Sequence, residues 1–170
     1  MITASIFLVF PLCLALAALT DLFSMTIPNR VSMILLGAFL LLAPLSGMDW
    51  QVFAMSLVAG VTVFLACFVL FAFNTMGGGD AKLLTSCAVW FGFNYSLAEF
   101  LVAVALIGGI LTLGILVLRS RSEEIMATGL PIPDSLLVAK KVPYGIAIAV
   151  AGLITYPEAP IVQAAMSAVL

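Results

Sequence analysis

Residues 52–73 read VFAMSLVAGVTVFLACFVLFAF, an apolar run without a charged side chain. About 20 apolar residues cross the hydrocarbon core of a bilayer as an α-helix, so this run predicts a transmembrane helix. Further apolar runs lie on both sides of it, at residues 2–19, 31–45, 81–95, 97–118 and from 142 to the end. Together they predict an all-α integral membrane protein, a bundle of about six transmembrane helices.

The composition of the chain agrees with a lipid environment. Of its 170 residues, 65% are hydrophobic and 8% are charged, which is too little polar surface to cover a soluble globule. No polar stretch is long enough for a separate soluble domain, so we expect one transmembrane domain over residues 1–170. The net charge of -2 argues against a nucleic-acid partner, since no basic stripe is present to neutralise phosphates.

Several kinds of chemistry are excluded by residue type. The chain has no histidine, which removes histidine-based catalytic triads and imidazole metal ligands. Its three cysteines, Cys13, Cys67 and Cys87, each lie within an apolar run, so neither a disulfide framework nor a zinc site is expected.

Two of the apolar runs have unusual features. The last run contains Pro157 and Pro160, which predict one kinked or broken helix rather than two crossings. The fourth run, residues 81–95, would make a helix of about 22 Å against a hydrocarbon core of about 30 Å. Either the bilayer thins there or the glycine-rich segment before it dips inward, and both place Asp80 near the membrane boundary.

The basic residues are distributed asymmetrically. With six crossings, one set of connections comprises residues 20–30, 74–82 and 119–141. All six basic residues fall in that set: Arg30, Lys82, Arg119, Arg121, Lys140 and Lys141. The positive-inside rule therefore predicts that these connections are cytoplasmic and that both termini are external. The first run is expected to be a retained helix, since it lacks the basic start and the clear cleavage site of a signal peptide.

Most acidic residues are expected to be solvated or to cap helices. Asp49, Glu99 and Glu158 fall on the predicted external side, and Glu123, Glu124 and Asp134 lie in the long cytoplasmic connection. Two acids remain, Asp21 and Asp80, and both are predicted on the cytoplasmic face.

Each of these two aspartates has an ordinary structural interpretation. Asp21 ends the first helix, where a carboxylate meets the negative end of the helix dipole, and taken alone it reads as an interfacial charge. Pro28 and Asn29 read as a turn and a cap for the second helix. Asp80 follows three glycines and could be an N-cap, and Lys82 reads as an interfacial anchor.

The pair has a second interpretation if the bundle brings the two carboxylates together. Like-charge repulsion would then make them share one proton. The ionised carboxylate could activate water while the protonated one polarises a peptide carbonyl, which is the arrangement of aspartic proteases. This chemistry needs no histidine, metal ion or organic cofactor.

Three segments of the chain resemble the signature segments of type IV prepilin peptidases, which are GxGD-type intramembrane aspartyl proteases. The segments are residues 21–29 (DLFSMTIPN), 77–82 (GGGDAK) and 141–145 (KVPYG). Their order, their predicted sidedness and the six-helix plan all agree with that family. GxGD alone is a weak motif, and the three segments together are far more specific.

The resemblance implies roles for individual residues. Asp21 and Asp80 would be the catalytic pair, Gly77 and Gly79 would shape the loop, and Lys82 would help to position it. Pro28 and Asn29 belong to the first matching segment, and the segment Pro143, Tyr144 and Gly145 would pack near the active site.

The resemblance also implies a substrate and a location. The enzyme would lie in the cytoplasmic (inner) membrane and remove the basic leader from prepilins or pseudopilins at its cytoplasmic face, in association with pilus assembly machinery. Glu123, Glu124 and Asp134 are weak candidates for contacts with that leader. The chain lacks the cysteine-based domain of the larger members, so methyltransferase activity is not expected. Its length resembles the short peptidases of tight-adherence (Flp-type) pili, and an archaeal preflagellin peptidase is similar as well.

Two other classes of function remain open at this stage. A proton-coupled transporter or channel would use intramembrane acids, and it predicts acids buried in the middle of helices and inverted repeats. A non-catalytic assembly protein would use Gly108, Gly109 and Gly114 for helix packing, with both aspartates as caps.

Overall fold

The computed structural model describes residues 2–122, 136 and 141–167, and all regular structure in these ranges is helical. The α-helices are α1 (Ile2–Ser24), α2 (Asn29–Leu45), α3 (Trp50–Ala72), α4 (Gly78–Phe91), α5 (Tyr95–Ser120), α6 (Tyr144–Thr155) and α7 (Pro160–Ser167). The prediction of an all-α membrane protein is confirmed. Glu123, Glu124, Asp134 and Lys140 lie outside the described residues.

Four segments are long and apolar enough to cross a membrane: α1, α3, α5 and the stretch from Tyr144 to Ser167. Helix α2 is a shorter apolar helix. Helix α4 has 14 residues, so it measures about 21 Å, short of the hydrocarbon thickness. The chain is therefore a multi-pass membrane protein in which α4 is shorter than each of the four segments that could cross the membrane.

The last apolar run is broken, as its two prolines predict. Helix α6 ends at Thr155, a 3-10 turn covers Tyr156–Glu158, and α7 starts at Pro160. Proline lacks a backbone N–H and clashes with the preceding turn, so a continuous α-helix cannot pass through this point. Tyr156 anchors the break because its hydroxyl donates to the backbone oxygen of Ile6 at 2.7 Å and its ring stacks on Phe10.

Helix α4 occupies the centre of the bundle. It packs against α2, α3, α5 and α6, and nearly every residue from Leu83 to Phe91 is buried. The indole of Trp90 donates a hydrogen bond to the backbone oxygen of Leu35, which joins α4 to α2. By contrast, α1, α3 and α5 expose large apolar side chains on their outer faces, as expected for helices in lipid.

The start of α4 differs from the sequence prediction. The helix begins at Gly78 instead of residue 81, so part of the glycine-rich segment is helical. It ends at Phe91 because Gly92 takes a positive φ of 69°, a conformation that terminates helices. Asn94 then caps α5 by accepting a hydrogen bond from the backbone N–H of Ser96.

One structural expectation from the sequence is wrong, and a second is met within the chain at one position of three. Asn29 does not cap α2, since Pro28 is the N-cap residue and no side chain bonds there. Of the three glycines of α5, only Gly108 makes a close packing contact within the chain, because a Cβ at Gly109 or Gly114 would meet open space. Asp49, in contrast, does cap α3, where its carboxylate accepts from the N–H of Gln51.

Candidate active site

Asp21 lies in the last turn of α1 and is buried, with 5% of its surface exposed. Its Oδ2 atom accepts a hydrogen bond of 2.7 Å from the backbone N–H of Gly145, in the first turn of α6. The N-terminus of α6 thus offsets the unfavourable position of the carboxylate at the C-terminal end of α1. This bond also fixes the orientation of the carboxylate.

The turn after α1 brings Ile27 into the same region. Met25 has a positive φ of 53°, which ends the helix and turns the chain toward Pro28. A Cβ on Gly79 would lie 3.3 Å from the Cβ of Ile27, and a Cβ on Gly145 would lie 2.9 Å from its Cδ1 atom. All three signature segments therefore meet at Ile27, and two of them need glycine to approach it.

Asp80 is the third residue of α4, and the N-cap is Gly77. The interpretation of Asp80 as the N-cap is therefore wrong. Its carboxylate turns back toward the helix start, where a Cβ on Gly77 would lie only 2.8 Å from the Asp80 Oδ2 atom. Gly77 thus leaves room for the carboxylate beside its own backbone amide.

The two aspartates line one cavity of about 270 Å³, together with residues of the turn after α1 and the glycines before Asp80. A neighbouring cavity of about 500 Å³ also reaches Asp80 and is bordered by Leu70, Met76 and Tyr144. The first cavity is large enough for water beside both carboxylates. The second offers a mixed apolar and polar wall next to Asp80.

Lys82 and Asn29 form a separate contact at the edge of the site. The Lys82 Nζ atom donates to Asn29 Oδ1 at 2.9 Å, and both side chains are exposed. The bond links the start of α2 to the first turns of α4. It therefore connects the signature segment that begins at Asp21 with the one that contains Asp80.

Tyr144 and Pro143 lie at the start of α6. Pro143 is its N-cap residue, and the Tyr144 hydroxyl donates to the backbone oxygen of Val104 at 3.4 Å. The tyrosine ring lies directly on Gly108 of α5, where any Cβ would overlap it. Tyr144 thereby joins α5 to the wall of the larger cavity.

Sequence reasoning missed two residues of this site. Lys141 lines both cavities, a position that neither its place in the third signature segment nor the charge asymmetry predicts. Ile27 is not recognisable as a site residue from the sequence, because an apolar side chain in a turn can neither transfer a proton nor bind an ion. The one sequence feature that points to Ile27 is its position directly before Pro28, within the first signature segment.

The arrangement can hold water between two carboxylates. Among residues 2–122, 136 and 141–167, no three side chains of histidine, cysteine, aspartate or glutamate are grouped to hold a metal ion.

Comparison with known proteins identifies a family for this chain. The model of the type IV leader peptidase family (Peptidase_A24) matches residues 8–113, a range that includes both Asp21 and Asp80. No curated protein and no solved structure gives a significant match. Since the family model covers more than half of the sequence, the chain belongs to the type IV leader peptidase family.

Proposed function

We propose that this protein is an intramembrane aspartyl endopeptidase whose catalytic residues are Asp21 and Asp80. The observation that supports it is the cavity lined by both carboxylates, which come from different helices and from distant parts of the sequence. Membership in a leader peptidase family supplies the reaction class. The whole chain would act as a single peptidase domain.

The proposed reaction uses one proton shared by the pair. The ionised carboxylate takes a proton from water, and the water oxygen bonds to the carbonyl carbon of the scissile peptide. The protonated carboxylate donates its proton to the carbonyl oxygen. The C–N bond then breaks as the proton taken from water passes to the leaving amine, and one hydroxyl of the tetrahedral intermediate returns its proton to the other carboxylate, which restores the shared proton. The hydrogen bond from Gly145 holds the Asp21 carboxylate in one orientation during these steps.

The proposed substrates are Flp-type prepilins or pseudopilins, cleaved at the cytoplasmic face of the inner membrane. Asp21 and Asp80 lie at the same end of the bundle as Arg30, Lys82 and Lys141. The positive-inside rule assigns this end to the cytoplasm. The larger cavity, with Leu70, Met76 and Tyr144, would accept the chain next to the scissile bond. The proposal includes no methyltransferase activity.

The test is leader cleavage by purified protein in detergent or in liposomes. Asp21→Asn and Asp80→Asn should each reduce the cleavage rate at least about 100-fold, since each removes one partner of the acid–base pair. Asn at position 21 can still accept the Gly145 N–H, so the variant should fold. Asp49→Asn is the matched control, because Asn caps α3 about as well as Asp and the site is remote.

Normal cleavage by either catalytic-site variant would overturn the proposal. It would favour the assembly-protein interpretation, in which the two aspartates only stabilise helix ends. Proton flux in liposomes that depends on Asp21 and Asp80, without cleavage of any prepilin, would instead favour a transporter.

A further inference from the structure

A third cavity, of about 400 Å³, lies outside the proposed active site. It is a groove between α2 and α3 whose inner wall is formed by α4. We call it the α2–α3 groove. Asn29 borders both this cavity and the one that holds the aspartates, but neither Asp21 nor Asp80 lines the groove, so binding there does not involve the two carboxylates.

One end of the groove is polar and positively charged. Lys82 and Asn29 lie there, joined through the Asn29 carbonyl oxygen, which leaves the Asn29 amide group free to donate. Within the described part of the chain, no acidic side chain forms an ion pair with Lys82. The end of the groove therefore presents a cation and an amide donor at the membrane boundary.

The middle of the groove contains a hydroxyl group without a partner. Ser32 follows Asn29 by one helical turn on the same face of α2, and its residue is 8% exposed. Its Oγ atom has no hydrogen-bond partner in the described residues. A buried hydroxyl in this state is unfavourable, and rotation of the Ser32 side chain toward the groove would let it donate to an acceptor on a bound molecule.

Thr85 and Ser86 of α4 also line the groove, but their hydroxyls already donate to backbone oxygens of their own helix. The remaining part of the groove is apolar and open to the lipid. Met33, Leu36 and Phe64 line it, and all three have more than a third of their surface exposed. Along the groove, the order is thus a cation with an amide, then a hydroxyl, then apolar side chains.

This order matches the parts of a phospholipid, and we propose that the α2–α3 groove binds one anionic phospholipid. The headgroup phosphate contacts Lys82 and the Asn29 amide, the Ser32 hydroxyl donates to an ester carbonyl, and an acyl chain lies along Met33, Leu36 and Phe64. The uncompensated charge of Lys82 favours a lipid with net negative charge over a zwitterionic one. The apolar half of the groove favours a lipid over free phosphate, which has nothing to place there.

The test is native mass spectrometry of the intact protein, released from micelles containing phosphatidylglycerol or phosphatidylcholine with the same acyl chains. The expected result is one tightly retained phosphatidylglycerol and weaker retention of phosphatidylcholine. Lys82→Gln should reduce the preference for phosphatidylglycerol about fivefold, the contribution of one basic residue near an anionic lipid. Arg121→Gln, exposed at the end of α5 and away from the groove, is the charge-matched control and should leave the preference unchanged.

A second pair of variants tests the apolar half. Leu36→Trp should fill the groove and reduce phosphatidylglycerol retention, whereas Leu41→Trp, on an exposed face of the same helix, should not. Both readouts measure lipid binding and do not depend on peptidase activity, so they remain decisive if the proposed function fails.

Three results would overturn the proposal. The first is equal retention of the two lipids by the unaltered protein. The second is displacement of phosphatidylglycerol by inorganic phosphate alone at millimolar concentration, which would assign the polar end to free phosphate. The third is a Leu36→Trp variant that retains lipid as the unaltered protein does but has a raised KM for a prepilin. That result would assign the groove to the transmembrane segment of the substrate.

Discussion

At the scale of single residues, the site depends on close approach to two glycines. Gly145 allows the start of α6 to reach Asp21, and Gly79 allows the start of α4 to reach Ile27. Neither glycine has a positive φ, so backbone conformation does not require them. What requires them is space: any side chain at either position would separate the segments that carry the catalytic candidates.

Gly145→Ala should therefore impair the enzyme. Its Cβ would lie 2.8 Å from Asp21 Oδ2 and 2.9 Å from Ile27 Cδ1, so the carboxylate and the turn must move. We expect at least a tenfold loss of leader cleavage and a loss of about 1–3 kcal/mol in the free energy of unfolding. Cleavage kinetics and thermal unfolding in detergent measure these effects.

Gly109→Ala is the matched control for this prediction. It also places alanine in a helix, but nothing lies within 4 Å of the new Cβ. Its cleavage rate should be unchanged, and its stability equal or slightly higher, because alanine favours helix. Equal behaviour of the two variants would show that the approach of α6 to Asp21 is not required.

At the scale of elements, α6 is held from two sides. At its start, Tyr144 lies on Gly108 of α5, and after its end, Tyr156 bonds to Ile6 of α1. The helix carries the N–H that bonds Asp21, so these contacts position one side of the proposed active site.

The contact between α5 and α6 predicts strong coupling between two substitutions. Gly108→Ala should lower thermal stability by about 1–3 kcal/mol, because its Cβ would overlap the Tyr144 ring. In a Tyr144→Ala background the same substitution should cost almost nothing, and a double-mutant cycle measures the difference. Gly114→Ala, which meets open space, is the control, and additive effects of the two substitutions would contradict the packing described above.

The anchor at the broken helix gives another prediction. Tyr156→Phe removes a buried hydroxyl that donates to the backbone of Ile6, while the ring and its stacking on Phe10 remain. The free energy of unfolding should fall by about 1 kcal/mol, with little change in cleavage below the unfolding temperature. Tyr95→Phe, at an exposed tyrosine, should have no effect in the same thermal scan, and an equal shift in both variants would rule out the anchor.

At the scale of the whole molecule, the short central helix carries one of the two aspartates of the candidate site. Helix α4 is surrounded by other helices, so its short length does not expose polar backbone to lipid. Asp80 lies in the first turn of α4 and lines one cavity with Asp21, which lies in the last turn of α1, so the start of α4 and the end of α1 meet at one end of the bundle.

The orientation of the bundle is testable with two cysteines on one helix. Tyr95→Cys and Ser120→Cys place exposed thiols at opposite ends of α5. The native cysteines Cys13, Cys67 and Cys87 are buried and should give little background. In intact spheroplasts, a membrane-impermeant maleimide should label position 95 at once and position 120 only after permeabilisation. The reverse pattern would invert the proposed topology.

Much of the fold was predictable because it follows from local sequence. Length and apolarity identified the helices, and Pro157 and Pro160 identified the break in the last one. The predictions from sequence differ from the structure where contacts with other helices determine what a residue does. Asn29 has the residue type of a cap, but its side chain is engaged by Lys82 from another helix, and Gly109 has the residue type of a packing site but faces outward.

The membrane class and the helices follow from the amino-acid sequence, because hydrophobic length is a local property of the chain. Asp21 and Asp80 are likewise recognisable in the sequence from their placement and from the segments around them. The packing of the helices is needed to see that both aspartates line one cavity, that the Gly145 N–H bonds Asp21 and that Ile27 joins the three signature segments. These contacts connect residues far apart in the chain. They depend on how the helices pack, and a local sequence pattern carries no information about that packing.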